Sequence, residues 1–335
     1  TLEAATQAGD GMRLKDYRSF IRHSLEDMPP FSLLESEVLS LAKSVSELSA
    51  APPVEDSYIG PVLLEDQAAG EFFNQLLAYN VSFPREIWLE EEGVKEEFHT
   101  GELNSRLGMR VLAPILSVED DPTLERFGAI PLIGHYTVDD EGTPAKRVRL
   151  IERGNLVDLL MSRSPTKKRA QSNGHGRADF SENVSAHISN FVITPQPSTP
   201  LPEMKRELLK RAQEFGLGHA YIVRRIWNEN AREKEELLAA PILVYKVSVK
   251  DGGEQLVRDV KFGGVTLRAL RDIVAASPDR HVYNFYQMGP FKSAGRGQVQ
   301  ASIIHPSILI AELELKKSEK KPDKLPYLKH PHFTN

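Results

Sequence analysis

Leu34, Val38, Leu41, Val45 and Leu48 recur at alternating spacings of four and three, which predicts a helix over 31–50 with one apolar face. Ser32 followed by Glu35 fits a capping box at its start, and Pro52-Pro53 stops it. A short apolar run, Tyr58 to Leu64, leads into a second helix near Asp66–Tyr79. Its buried side is Ala69, Phe72, Phe73, Leu76 and Leu77, with Pro84 at the exit. The acidic stretch Glu90 to Glu97 reads as an exposed loop or lid, because adjacent like charges need water.

Beyond residue 107 the pattern turns to strands. Met109–Val118 is apolar and β-branched, and Asp139–Gly142 is a turn that predicts a hairpin of Ile130–Val138 with Lys146–Glu152. Asn155–Met161 reads as a short helix and 162–182 as a long polar loop. Pro195–Pro202 is an extended connector, followed by a helix at Glu203–Phe215 that ends at Gly216. Strands are expected at Ala220–Trp227, Ile242–Val249 and Leu256–Phe262, the last two joined at Asp251-Gly252-Gly253. Thr266–Ala276 reads as helical, and Val299–Leu315 as a long β run interrupted at Pro306. Runs of strands with few helices predict an α+β fold, a mostly antiparallel β-rich domain with a few helices packed on it.

Composition narrows the function classes. The 335 residues contain no cysteine, which removes disulfides, thiol nucleophiles and thiolate metal sites. Any metal would need His, Asp or Glu. No apolar run approaches the ~18 residues of a membrane helix, so no membrane partner is expected. The net charge of −5 hides an asymmetry, with −14 on residues 1–150 and +9 on 151–335. The two readings are solvated faces that attract one another and a basic face for an anionic partner. No nucleic-acid motif supports the second, so a nucleic-acid partner is not expected.

Chemical signatures are sparse. G-x-x-x-x-G-K-[ST], H-E-x-x-H and G-x-S-x-G are all missing. The Gly-rich Ser172-Asn173-Gly174-His175-Gly176 follows no strand and opens no long helix, which favours a flexible loop over a cleft rather than a phosphate cradle. His99, His135, His175, His187, His219, His281 and His305 never fall at helical i, i+4 spacing. Carboxylates cluster at Glu65-Asp66, Glu119-Asp120-Asp121 and Asp139-Asp140-Glu141, and the last two sets read as solvated turns.

Several segments together resemble the TldD/PmbA family of zinc-dependent peptidases, once called modulators of DNA gyrase. They are Asp10-Gly11-Met12-Arg13-Leu14, Tyr58–Leu64, Asp120-Asp121-Pro122 and Asp139–Gly142, then Glu152–Leu156, 172–177 and 294–298. The resemblance implies the family's C-terminal domain over 56–318, with a connecting segment and helix at 1–55 and a tail at 319–335. The family's N-terminal α/β domain would be missing. Thr1 in place of Met suits a chain that begins near that domain's end.

The family's active members carry H-E-x-x-x-H on the helix after the G-P-V-L-type strand, with a cysteine near the C-terminus completing a zinc site. By that alignment the first His position is Glu65, the Glu position Asp66, the second His position Gly70 and the cysteine position Ala294. None of the three ligand positions keeps its family ligand, so neither a metal nor a cofactor is expected here. The resemblance implies a non-catalytic, PmbA-like subunit, paired as a homodimer or with an active TldD-like subunit and binding a peptide or protein substrate. Asp139, Glu141, Asn173, Gly174, His175 and Arg177 are the expected cleft rim. One alternative is an active zinc peptidase using His281 or His305 with a carboxylate; another is a binding module for an anionic partner. The expected location is the cytoplasm, with export left open by the unusual start.

Overall fold

The computed structural model describes residues 1–82, 101–165, 169–178, 184–233, 236–288 and 298–318. In chain order the strands are β1 (Leu2–Gln7), β2 (Arg13–Arg18), β3 (Tyr58–Leu64), β4 (Leu116–Asp120), β5 (Arg126–Phe127), β6 (Ile130–Pro131), β7 (Val148–Glu152), β8 (Asn155–Leu156) and β9 (Gly176–Arg177). They continue with β10 (Ser185–Ala186), β11 (Asn190–Pro195), β12 (His219–Ile226), β13 (Pro241–Ser248), β14 (Glu254–Val257), β15 (Val260–Gly263), β16 (Ile273–Met288) and β17 (Gln298–Lys317). The main helices are α1 (Phe31–Ala50), α2 (Asp66–Phe73) and α3 (Leu201–Glu214).

The 20-residue β17 is the spine of the main sheet. One of its edges pairs antiparallel with β16 and then β15. The other pairs parallel with β11 at Ser302–Ile304 and antiparallel with β3 from Ile308 onward. The change of partner falls at Pro306, which has no N–H to give to a ladder. Ser307 N donates to Ser277 Oγ there instead. From β11 the sheet continues through β4, β7 and β8, and from β3 through β12, β13 and β14. Among the described strand pairs only β11–β17 and β12–β3 are parallel, so the fold is α+β with a mostly antiparallel sheet.

Residues 301–310 of β17 are buried without interruption, because both faces are covered. Alternate residues of β3 serve the two faces. Val62 and Leu64 pack with α2, whereas Leu63 joins Met204, Leu208 and Ala212 of α3. Past Phe73, α2 passes through a π-helical turn, Asn74–Ala78, and a last turn, Tyr79–Val81. Residues 1–18 form a two-stranded hairpin, β1–β2. Its fully buried Asp16 binds Arg18 at 2.9 Å, Arg225 at 3.2 Å and Ser44 of α1 at 2.9 Å.

Several local expectations give way to tertiary pairing. The capping box does not form: Pro30 is the N-cap of α1, and Ser32 lies inside the helix. The apolar stripe is buried only at Leu41, Val45 and Leu48, while Val38 is 46% exposed. Within 109–118 only the end joins a strand, β4. β7 pairs with β4, leaving a single bridge, Val138 to Pro144, at the expected hairpin. Gly154, at φ +83°, folds 155–156 back onto β7, which prevents the helix expected over 155–161. Asp259, at φ +63°, splits 256–262 between β14 and β15. Thr266–Ala276 holds a 3-10 turn and then the start of β16. The acidic stretch at 90–97, Ala294 and the tail from 319 lie outside the described residues. No described helix is long and apolar enough to cross a membrane.

Candidate functional site

Glu65 follows β3 directly and is the N-cap residue of α2. Its carboxylate is buried, so it requires partners. Arg224 Nε lies 2.8 Å from one oxygen, and Lys205 Nζ lies 3.4 Å from the other. Both cations also bind Glu254, at 2.7 and 3.1 Å, and the Arg224 guanidinium stacks 4.3 Å from the Tyr245 ring centroid. Partial burial works against the charge on Glu254, but the hydrogen bonds from Arg224 and Lys205 prevail and hold its carboxyl below the usual range.

Asp66 begins α2 in the left-handed region, at φ +47°, with an exposed side chain. One turn on, Gly70 is buried against β16 and β17. A Cβ there would lie 2.8 Å from His305 Nε2 and 3.2 Å from Tyr283 Cβ. His305 stands at the fork of β17, with Nδ1 3.2 Å from the Pro306 carbonyl. That contact requires the proton on Nδ1 and leaves the Nε2 lone pair facing Gly70. Burial lowers the His305 pKa to about 3. The His281 and His305 rings lie 5.9 Å apart, and the described residues contain no group of three His, Asp or Glu able to hold a metal ion.

The described residues therefore do not fit a zinc ion of the H-E-x-x-x-H kind. Glu65 Oε2 is hydrogen-bonded to Arg224, and Oε1, without a hydrogen-bond partner of its own, faces Lys205 at 3.4 Å. Gly70 offers no donor, and the space its side chain would fill belongs to His305.

Sequence reasoning missed the next residue. Glu71 is fully buried and accepts hydrogen bonds from Tyr283 Oη, from Gln75 Nε2 at 2.9 Å and from Asn74 Nδ2 at 3.2 Å. Burial pushes its carboxyl up to about 7, against the pull of those bonds. It underlies a cavity of about 520 Å³ between residues 19–25, Asn228–Asn230 and Tyr283–Tyr286. A carboxyl poised near neutrality can take or give a proton. Its signal in the sequence is a single acid inside the apolar, small-residue run 68–73.

The expected rim residues do come together, as an internal lock. Asp139, 5% exposed, accepts from the backbone N–H groups of Glu141, Thr143 and Gly176 at 3.1, 2.7 and 2.9 Å. A Glu141 oxygen accepts from the N–H of Arg163. Asn173 bridges Met161 N and Leu159 O, both at 2.8 Å. Gly174, at φ +79°, lies so close to the Pro144 carbonyl that a Cβ would be 2.3 Å from it. Arg177 stacks 4.4 Å from the Tyr136 ring centroid and faces Asp140 at 3.6 Å. His175 Nε2 meets Asp120 at 3.0 Å, both fully buried, and Asp120 also accepts from Ser189 N and Oγ. Asp120 ends β4 facing inward, so it and Asp139 are buried acids rather than solvated turn residues.

A mostly antiparallel sheet lies between two helices, with an ion-paired glutamate at the start of α2 and, one turn on, a glycine packed against His305. Residues 57–317 match the PmbA/TldA metallopeptidase C-terminal domain, and the chain belongs to that family. A protein named metalloprotease from Methanothermobacter thermautotrophicus is 25% identical over 154 residues, 46% of this chain and 30% of that one. A metalloprotease from Methanocaldococcus jannaschii is 30% identical over 135 residues, 40% of this chain and 27% of that one. These matches span less than a third of either relative's length. Among solved structures, a proposed modulator of a DNA gyrase from Thermotoga maritima matches with a TM-score of 0.62 at 18% identity, over 94% of this chain and 61% of that one. TldE from Thermococcus kodakarensis matches at 0.57 and 16%, over 93% and 61%. These two likenesses are of fold.

Proposed function

We propose that this chain is a non-catalytic relative of the family's metallopeptidases. It binds peptide or protein substrate and works as a pair, with a second copy or with an active TldD-like subunit. The observation that carries the reading is the packing of His305 into the space where Gly70 has no side chain. It is supported by the ion pairs of Glu65 with Arg224 and Lys205, which set two cations beside its carboxylate. In this reading, Asp139, Glu141, Asn173, Gly174, His175 and Arg177 hold the two loops as a fixed edge of the cleft. Metal content and peptidase activity of tag-free protein test it, alone and mixed with an active family member. The expected result is no stoichiometric zinc, no cleavage alone and co-elution with the active subunit. One zinc per chain, lost on His281→Ala or His305→Ala, would establish the active-enzyme alternative instead.

A further inference from the structure

The cavity over Glu71 has unmatched groups of both signs. Asn74, 1% exposed, lines it with an Oδ1 that has no hydrogen-bond partner. All three donors to Glu71 are neutral, and no described cation pairs with it. Arg22 lines the same cavity, and its Nε is buried without an acceptor. The site thus lacks a cationic donor near Glu71 and Asn74, and an oxygen at Arg22.

We propose that this cavity receives the free amino terminus of a peptide, with its ammonium group on Asn74 Oδ1 and the Glu71 carboxylate and its first carbonyl on Arg22 Nε. A peptide amino terminus carries both a cation and a carbonyl oxygen, one partner for each kind of unmatched group that lines this cavity. A cavity of about 520 Å³ is in the range of small-ligand sites. An anion would meet Glu71, and a metal ion would lack ligands, because no three described His, Asp or Glu side chains are grouped to hold one. The cation also completes a buried carboxyl that otherwise ionises only near neutrality, so binding at pH 6.5 releases a proton from Glu71.

The inference rests on the peptide-binding reading but fails separately, since metal content and activity decide that reading and amino-group blocking decides this one. The experiment is titration calorimetry at pH 6.5 with trialanine, N-acetyl-trialanine and Nα-acetyl-lysine amide, in two buffers of different ionisation enthalpy. Trialanine is expected to bind at least tenfold tighter than either other probe, with net proton release. Glu71→Gln should lose at least tenfold in affinity and the proton release. Arg22→Gln, at the half-buried rim, should lose affinity while keeping the release. Equal binding of the acetylated peptide, or no heat from trialanine at 10 mM, would overturn the proposal. Equal binding of the lysine amide would assign the cavity to a side-chain ammonium instead.

Discussion

Replacing Gly70 by alanine sets two known effects against each other. Alanine inside a helix is favoured over glycine by about 1 kcal/mol. Here, however, the new methyl would sit 2.8 Å from His305 Nε2 and 3.2 Å from Tyr283 Cβ, in a fully buried site. Overpacking of this kind costs about 1–3 kcal/mol. Gly70→Ala should therefore destabilise the chain by about 1 kcal/mol. In a His305→Ala background the nearest obstacle is gone, and the same change should stabilise by about 0.5 kcal/mol, with Tyr283 limiting the gain. The coupling between the two sites is then about 1.5 kcal/mol. Equilibrium urea unfolding of the four proteins, followed by tryptophan fluorescence, measures it. If Gly70→Ala stabilised the unmodified chain, or shifted both backgrounds equally, His305 would not fill the place of the Gly70 side chain.

The remaining predictions concern buried charge. Burial holds His187 at about 4 and His305 at about 3, below the ordinary 6.5, so both fold as neutral rings. The stability this gives is present above pH 6.5 and is lost as pH falls toward 4; for His187 it amounts to about 3 kcal/mol, and His187→Gln should flatten the acid limb of a stability–pH curve. Glu71, raised to about 7, works in the opposite sense: its contribution fades as pH rises from 4.5 to 7, and Glu71→Gln should remove that slope in the same measurement. Arg224→Met should cost about 2 kcal/mol by leaving Glu65 to Lys205 alone, and adding Glu65→Met should recover much of it, as urea midpoints will report. Asp139→Ala strands three backbone donors and should cost about 3 kcal/mol, with faster amide exchange at Gly176 and Thr143.

Elements were legible in the sequence where local pattern and tertiary need agree. The 31–50 helix, the strand at 58–64, the helix starting at Asp66 and the hairpin at Asp251–Gly253 all stand where periodicity and turn residues put them. The misplaced elements depend on distant partners. Thr266–Ala276 has helical spacing, yet residues from Ile273 on are drawn into a ladder with β17. The split at Asp259 depends on a single residue with positive φ, which no apolar pattern announces. At the site, positions 65, 66 and 70 were singled out only through the resemblance to the family's H-E-x-x-x-H segment. That Glu65 would be ion-paired from two other elements, and that His305 would fill the space at Gly70, could not be read there, because Arg224, Lys205 and His305 lie 140 or more residues away. Glu71 was overlooked, and Asp120 was read as a solvated turn residue, because burial, not residue type, makes a carboxylate unusual.

The spine β17 also dictates how the chain reaches its fold. Its partners come from residues 58–64, 190–195, 260–263 and 273–288, and it follows all of them. A ribosome therefore releases β3 and β11 long before the strand that joins them exists. Until then their apolar edges stay open to wrong partners. Pairings this remote in sequence close slowly, so completion of the sheet should be a late event that waits for synthesis of residues 298–317. A nascent chain halted before that point would hold both arms of the sheet with nothing between them, and would be a natural client for chaperones.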